Sequence, residues 1–167
     1  SPTSGSLAGG TLVNLYGDGL SDRVGELDVR FGSVRCRVLV VNASQATCIT
    51  SAHATQTSDK VEAIAVRVRG VLAGGGNRSF LFALASTPVL TTAAVADRTN
   101  LSNWLVTVSG SGFLSPASAN VIYIGSTPCV PTVSSTTSQI ICNASPPLSG
   151  TQVVTLMNVG GFARGSS

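Results

Sequence analysis

Four cysteines are the residues of this sequence whose spacing most directly predicts chemistry. They form two pairs, Cys36 with Cys48 and Cys129 with Cys142. Neither pair has the Cys-x-x-Cys unit typical of a zinc site. The regular spacing favours two disulfides, one in each half of the chain, formed in an oxidising compartment. Two pairs of buried thiols remain the alternative.

The groups that could perform acid–base or nucleophilic catalysis are few. The chain has one histidine, His53, and seven carboxylate side chains, of which only Asp97 lies in the second half. Gly110-Ser111-Gly112 lacks the strand-to-helix setting of a nucleophile elbow, and Gly74-Gly75-Gly76 lacks the lysine of a phosphate-binding loop. We therefore expect no enzymatic activity and no cofactor.

A cluster of carboxylates is the nearest approach to a metal site, because calcium prefers several hard oxygen ligands from neighbouring loops. The cluster consists of Asp18, Asp22, Glu26 and Asp28. None of the aligned positions in the second half carries a carboxylate. A solvated turn explains the same residues, and we expect no bound metal.

Five arginines fall on the outward phase of predicted strands. They are Arg30, Arg35, Arg37, Arg67 and Arg69. If these strands adjoin, the guanidinium groups form one basic face suited to sulfate, carboxylate or phosphate groups. The pattern predicts a surface for an acidic glycan or an acidic cell-surface protein. The alternative is a solvated sheet face partly paired with Asp28 and Glu62.

Four Asn-x-Ser sequons point to the secretory pathway and to glycans on exposed turns. Their asparagines are Asn42, Asn77, Asn100 and Asn143, with Pro146 weakening the last. No apolar run is long enough to span a bilayer, and no signal peptide opens the sequence. We expect any leader or membrane anchor to lie outside this sequence. No direct membrane insertion is expected, and the predicted location is the cell surface.

The sequence nearly repeats itself, and the repeat defines the elements that must position these groups. Leu12–Cys36 aligns with Leu105–Cys129 without a gap, at an offset of 93 residues. One further insertion aligns Cys48 with Cys142. With 43% hydrophobic, 10% charged and 5% aromatic residues, we expect two small β domains with aliphatic cores. Their bounds are predicted as 1–85 and 86–167.

Alternation of apolar and polar residues predicts the strands of each copy, since successive strand residues face opposite sides of a sheet. In the first copy the strands are Thr11–Tyr16, Leu27–Phe31, Cys36–Val41, Thr47–Thr50, Val61–Arg69 and Arg78–Leu84. In the second they are Leu105–Ser109, Asn120–Ile124, Cys129–Val133, Gln139–Cys142 and Gln152–Asn158. Ile64–Ala73 aligns with Val154–Ala163, which leaves no counterpart for Arg78–Leu84. The second domain is therefore expected to lack its final strand, and the sequence to be a piece of a longer array.

The chain resembles tandem IPT/TIG domains, the immunoglobulin-like modules of plexins and transcription factors. In the first copy the resemblance rests on Ser1–Ser6 with Gly9-Gly10-Thr11, on the glycine turn within Leu12–Leu20, and on the cysteine-bearing Val29–Cys36 and Ala46–Thr50. In the second copy it rests on Thr87–Ala94 and on Val108–Phe113, while Ser102-Asn103-Trp104 replaces the Gly-Gly-Thr opening. The implied fold is all-β, with two immunoglobulin-like β-sandwiches of about seven strands each.

The resemblance to extracellular arrays of fibrocystin-like ciliary proteins and plexin-type receptors implies a structural and adhesive role. The short link Ala85–Pro88 predicts a semi-rigid, rod-like segment. Its partners would be neighbouring domains of the same longer chain, with a surface protein or acidic glycan as a further partner. A receptor ectodomain fragment that binds one protein ligand is the alternative. An intracellular DNA-associated dimerisation domain is a weaker one, because a net charge of +3 is small for nucleic-acid binding and the sequons and paired cysteines disfavour a reducing nucleus.

Overall fold

The structure is a computed structural model and describes residues 1–53, 57–74, 78–97, 103–145, 151–158 and 160–165. The chain divides into two compact units, Ser1–Ser86 and Thr87–Ser167, called unit 1 and unit 2 here. Both are built from strands, and the described ranges also include short 3₁₀ helices at Val24–Glu26 and Ala117–Ala119. Within the described residues, no helix is long and apolar enough to cross a membrane.

The described residues of unit 1 form eight strands. They are β1 Ser4–Ser6, β2 Leu12–Tyr16, β3 Leu27–Phe31, β4 Val34–Val41, β5 Gln45–Thr50, β6 Lys60–Val68, β7 Val71–Leu72 and β8 Ser79–Ala83. Hydrogen bonding connects them in the order β1-β8-β6-β3-β4-β5-β2, with β7 beside β6. The first half of β6, through Ala63, pairs with β8, and the second half, from Ile64, pairs with β3. Strand β6 thus passes from one sheet of the sandwich to the other.

The core of unit 1 lies between these sheets. Leu27, Val29 and Phe31 of β3 are buried, while Arg30 between them is exposed, which is the alternation that the sequence predicts. The prediction of an aliphatic core is wrong for this unit. Phe31 stacks on Phe80 with ring centroids 4.8 Å apart, and Phe82 meets both rings edge-on. Two of these rings come from β8, and three of the eight aromatic residues of the chain therefore meet in this core.

In unit 2, the part of the chain that the structure describes also forms eight strands. They are β9 Val89–Asp97, β10 Trp104–Ser111, β11 Val121–Ile124, β12 Thr127–Pro131, β13 Gln139–Ala144, β14 Val154–Asn158, β15 Gly161–Phe162 and β16 Arg164–Gly165. Their order is β15-β14-β11-β12-β13-β10-β9-β16. The core is aliphatic except for Phe113. Tandem all-β, immunoglobulin-like sandwiches are therefore confirmed.

Equivalent strands pair in equivalent register in the two units. Val29 lies opposite Cys36, and Ile122 lies opposite Cys129, as the offset of 93 requires. Each of these hairpins turns through a glycine with positive φ, Gly32 or Gly125, a conformation that costs glycine little. The β6–β7 and β14–β15 hairpins keep the predicted alignment of Ile64–Ala73 with Val154–Ala163. At that alignment the residues of β8 have no equivalents in unit 2.

Five strands lie outside the sequence prediction, namely β1, β7, β9, β15 and β16, and the last two have two residues each. Strands β1 and β7 have three and two residues, too few to show alternation. Strand β9 is long, but its pairing with β10 has two register shifts, and an irregular strand does not keep a period of two. Strand β1 lies beside β8 in unit 1, whereas β9 lies between β10 and β16 in unit 2.

Candidate functional site

Both cysteine pairs are bonded as the sequence predicts. The S–S distance is 2.12 Å for Cys36–Cys48 and 2.06 Å for Cys129–Cys142, and all four side chains are buried. Each bond joins neighbouring strands of one sheet, β4 to β5 in unit 1 and β12 to β13 in unit 2. In antibody domains the disulfide instead joins the two sheets. Here it fixes one strand against its neighbour on the inner face of a sheet.

Four of the five predicted arginines lie on one face of adjoining strands. The sheet order β6-β3-β4 places Arg67, Arg30, Arg35 and Arg37 on the outer side, opposite the buried Val29 and Cys36. Arg30 lies directly across from Arg35, and Arg67 lies across from Asp28. We call these four residues the arginine face. The guanidinium groups of Arg30 and Arg35 are well exposed and accessible to a ligand.

Asp28 is the acidic residue of the arginine face. Its carboxylate accepts a hydrogen bond from Arg30 Nε at 3.0 Å and lies 3.9 Å from Arg35 Nε. Among the described residues, Arg37 and Arg67 have no ion-pair partner within 4 Å. With one carboxylate among four arginines, the face is strongly basic. Like charges directly across two strands, such as those of Arg30 and Arg35, also repel each other.

Arg69 does not belong to this face, which differs from the sequence prediction. Strand β6 ends at Val68, and Arg69 with Gly70 forms the two-residue turn to β7, both with positive φ. The Arg69 side chain donates from Nε to Glu26 Oε2 at 2.8 Å, and its backbone N–H donates to the Glu26 carbonyl. Arg69 is therefore a turn residue held by the 3₁₀ helix.

The acidic cluster does not gather around a common point. Glu26 accepts from Ser21 Oγ at 2.6 Å and from Arg69, and these hydrogen bonds, that from Ser21 first, lower the pKa of Glu26 below its ordinary value. Asp28 faces arginines. In the described part of the chain, no three His, Cys, Asp or Glu side chains lie close enough to hold one ion.

Glu62, suggested as a partner for the arginines, pairs with His53 instead. His53 Nε2 lies 3.0 Å from Glu62 Oε1, and the imidazole meets the Phe82 ring edge-on. Both side chains are largely buried. Sequence reasoning missed this pair because His53 follows β5 in an irregular stretch, where spacing carries no register information.

A second buried polar group was also missed. Asn120 is 1% exposed. Its Oδ1 accepts a hydrogen bond from the backbone N–H of Leu114, and its Nδ2 donates to the carbonyl oxygens of Leu114 and Ala117. The aligned residue of unit 1 is the buried Leu27. Asn120 holds the loop before β11 in place, a structural role that the sequence gives no direct sign of.

Two of the four predicted glycosylation sites lie among the described residues. Asn42 is exposed in the turn between β4 and β5, where its Oδ1 accepts from the backbone N–H groups of Ser44 and Gln45. Asn143 is exposed on β13. Asn77 and Asn100 lie outside the described residues.

Three comparisons with known proteins bear on this arrangement. The model of the IPT/TIG domain family matches residues 1–82 and 98–167. Fibrocystin-L of Mus musculus is 33% identical over 128 residues, and Fibrocystin-L of Homo sapiens is 30% identical over 129 residues. Each match covers 77% of this chain and 3% of the relative, so the chain spans a small fraction of those proteins.

Among solved structures, the chain is similar to the full extracellular region of plexin A4. The sequence identity is 23% and the TM-score is 0.47, over 98% of this chain and 16% of that one. The family match includes both cysteine pairs and both glycine turns of the repeat. The chain therefore belongs to the IPT/TIG domain family and carries two such domains in tandem.

Proposed function

We propose that this chain is a non-enzymatic structural and adhesion segment of a longer extracellular, cell-surface protein. The observation that carries the proposal is the repeated buried disulfide, placed equivalently in two units of the IPT/TIG family. Disulfides persist in oxidising compartments and are rare in the cytosol and nucleus. The similarity to Fibrocystin-L supports membership of a larger multidomain protein. The rod-like assignment rests on the short link Ala85–Pro88, and the ciliary assignment rests on the resemblance to fibrocystin-like proteins.

The surface proposed for contact is the arginine face of unit 1. Exposed guanidinium groups can each present parallel donors to a carboxylate or sulfate, which favours an acidic glycan or an acidic protein. Unit 2 offers no equivalent, because the positions aligned with Arg30 and Arg37 carry Tyr123 and Val130. Binding of an anionic partner should therefore depend on unit 1.

Mapping of the secreted, unreduced protein tests the cell-surface proposal. The chain is expressed behind a secretion leader, and peptide masses are recorded with and without reduction and glycan removal. We expect bridged Cys36–Cys48 and Cys129–Cys142 together with a glycan on Asn42. Free thiols and bare asparagines in the secreted protein would contradict the proposal and favour the intracellular alternative.

Chromatography on a sulfated-glycan column tests the arginine face. We expect the wild-type protein to be retained, and the triple variant Arg35→Ser, Arg37→Ser, Arg67→Ser to flow through. A matched variant, Arg23→Ser, Lys60→Ser, Arg78→Ser, removes three exposed charges of unit 1 that lie off the arginine face. Equal loss of retention in both variants would show that net charge alone is responsible, and flow-through of the wild type would exclude sulfated glycans.

A further inference from the structure

The outer face of the unit 2 sheet is uncharged and largely apolar. Strands β14, β11, β12, β13 and β10 lie side by side in that order, and within their described bounds they contain no Lys, Arg, Asp or Glu. Val121, Tyr123 and Val130 on β11 and β12 are 42%, 43% and 64% exposed. They alternate with the buried Ile122 and Cys129, so they point away from the core. We call the outward residues of these five strands the neutral face.

One row of outward residues runs straight across the neutral face, because paired residues of neighbouring strands lie side by side. In strand order the row is Met157, Val121, Val130, Asn143 and Leu105. The equivalent row of unit 1 is Arg67, Asp28, Arg37, Ile49 and Leu12. Three positions that are charged in unit 1 are thus apolar in unit 2. The one position of the row that changes from apolar to polar is Asn143.

Asn143 stands in the middle of apolar neighbours. Val130 lies directly across from it on β12, and Leu105 lies directly across from it on β10. Ile141, two residues earlier on β13, shares its side of the sheet. Leu105 and Ile141 are half-buried, whereas Asn143 is exposed. The amide of Asn143 therefore projects to solvent from an apolar surround.

Asn143 is also the acceptor residue of an Asn-Ala-Ser sequon. A glycan linked to its Nδ2 would begin between Val130 and Leu105. The ring faces of a sugar present C–H groups, which can pack on apolar side chains and remove their surface from water. The hydroxyl groups at the rim of the ring remain hydrated. A glycan at this position would give the neutral face a polar exterior.

We propose that an N-linked glycan on Asn143 covers the neutral face of unit 2. Contiguous apolar surface on a secreted domain promotes association with other molecules. In unit 1 the charges of Arg67, Asp28 and Arg37 keep the equivalent row hydrated, and in unit 2 the glycan performs that task. The inference rests on the proposed passage of the chain through the secretory pathway. It goes further by assigning the glycan a surface and a role, which is to prevent self-association through the sheet face.

The first experiment measures occupancy by peptide mapping of the secreted full chain. Pro146 follows the sequon and lowers the efficiency of transfer, so we expect a glycan on Asn143 in part of the wild-type molecules and in a larger fraction of the variant Pro146→Ala. A bare Asn143 in both proteins, with a glycan on Asn42 and both disulfides formed, would overturn this inference and leave the proposed function intact. Free thiols would instead contradict the proposed function.

The second experiment tests the packing of the sugar directly. Nuclear Overhauser contacts are recorded on the glycosylated Pro146→Ala protein, in which no side chain of the neutral face is changed. We expect contacts from the first sugar to the methyl groups of Val130 and Leu105. A glycan that is present but makes no contact with either side chain would overturn the proposal.

The third experiment measures self-association by sedimentation. Asn143→Gln removes the glycan and keeps an amide, and we expect its self-association to be stronger than that of Pro146→Ala by about tenfold or more in the dissociation constant. The matched control Asn42→Gln removes a glycan from the turn between β4 and β5 and should leave self-association unchanged. Equal self-association of Asn143→Gln and Pro146→Ala would overturn the proposed role.

The charges of unit 1 supply a rescue of the bare protein. Val121→Asp with Val130→Arg, added to Asn143→Gln, places the equivalents of Asp28 and Arg37 on the neutral face. We expect this triple variant to be monomeric again, because burying the face would now desolvate two charges. Self-association that persists in the triple variant would show that it uses another surface, and would overturn the proposal.

Discussion

At the residue scale, the disulfides are where sequence and structure agree most closely. The pairing of the cysteines was predictable from their equivalent positions in the two copies, and the strands that carry them were predictable from the sequence pattern. The arginine face was predictable for the same reason, because alternation decides which side of a sheet a residue faces. The ion pairs were not predictable. Whether Glu62 meets an arginine or His53 depends on how an irregular segment packs, and spacing does not encode that.

Removing one disulfide should weaken its own unit. The variant Cys36→Ala, Cys48→Ala opens a loop with a sequence separation of 12, for which the chain-entropy model gives about 3 kcal/mol in the free energy of unfolding. Urea unfolding followed by circular dichroism measures the change. The matched variant Cys129→Ala, Cys142→Ala should destabilise unit 2 by a similar amount, because its loop is of similar size. An unchanged midpoint in both variants would contradict the stabilising role.

Glu26 should make the stability of unit 1 depend on acidity. Its pKa is lowered in the folded state by hydrogen bonds from Ser21 and Arg69. A lowered pKa stabilises the fold above the unfolded-state pKa, and this contribution disappears as the pH falls through the folded-state pKa. Thermal unfolding between pH 7 and pH 3 should therefore show Glu26→Gln less stable than wild type at pH 7. The difference should vanish in acid, and a difference that grows in acid would show the opposite linkage.

At the element scale, Gly110 should tolerate substitution much less well than its counterpart Gly17. Gly110→Ala places a methyl group against the Val89 carbonyl, so β9 must move away from β10. Overpacking of this kind costs about 1–3 kcal/mol. Gly17→Ala meets open space and should change the free energy of unfolding by no more than about 0.5 kcal/mol. Parallel urea titrations measure the free energy of unfolding of each variant. Equal losses would mean that the strand edges at Gly17 and Gly110 have similar surroundings.

The same comparison shows why some elements escape prediction from sequence. Strands β3 and β5 bury one face each and follow a period of two, and β4 does so from Val34 to Val38, before its register shift. Strand β9 is held by two neighbours and bends at its register shifts, so its pattern is irregular. Strand β1 is defined by its partner β8 far along the chain, and a three-residue segment carries no local signal. Because the two copies differ in these strands, aligning one copy with the other does not predict them either.

At the scale of the whole molecule, retention on a sulfated-glycan column should decrease steeply with salt. The net charge of +3 is small, and four arginines are concentrated on one exposed face. Charges at a surface are screened beyond about 8 Å at 0.15 M ionic strength, so binding to that face should weaken between 0.05 M and 0.5 M sodium chloride. Step elution measures this, and retention that persists at 0.5 M would indicate an apolar contact.

The pairing of β1 with β8 has a mechanical consequence. These two strands lie near the ends of unit 1 and run parallel, with Ser4 beside Leu81 and Ser6 beside Ala83. Tension applied at the two ends of the unit would slide the strands past each other, so that all the hydrogen bonds between them carry the load together. An antiparallel hairpin such as β3–β4, pulled at its open end, would lose its bonds one at a time. Single-molecule pulling through the ends of unit 1 should therefore record a higher rupture force than pulling through β3 and β4.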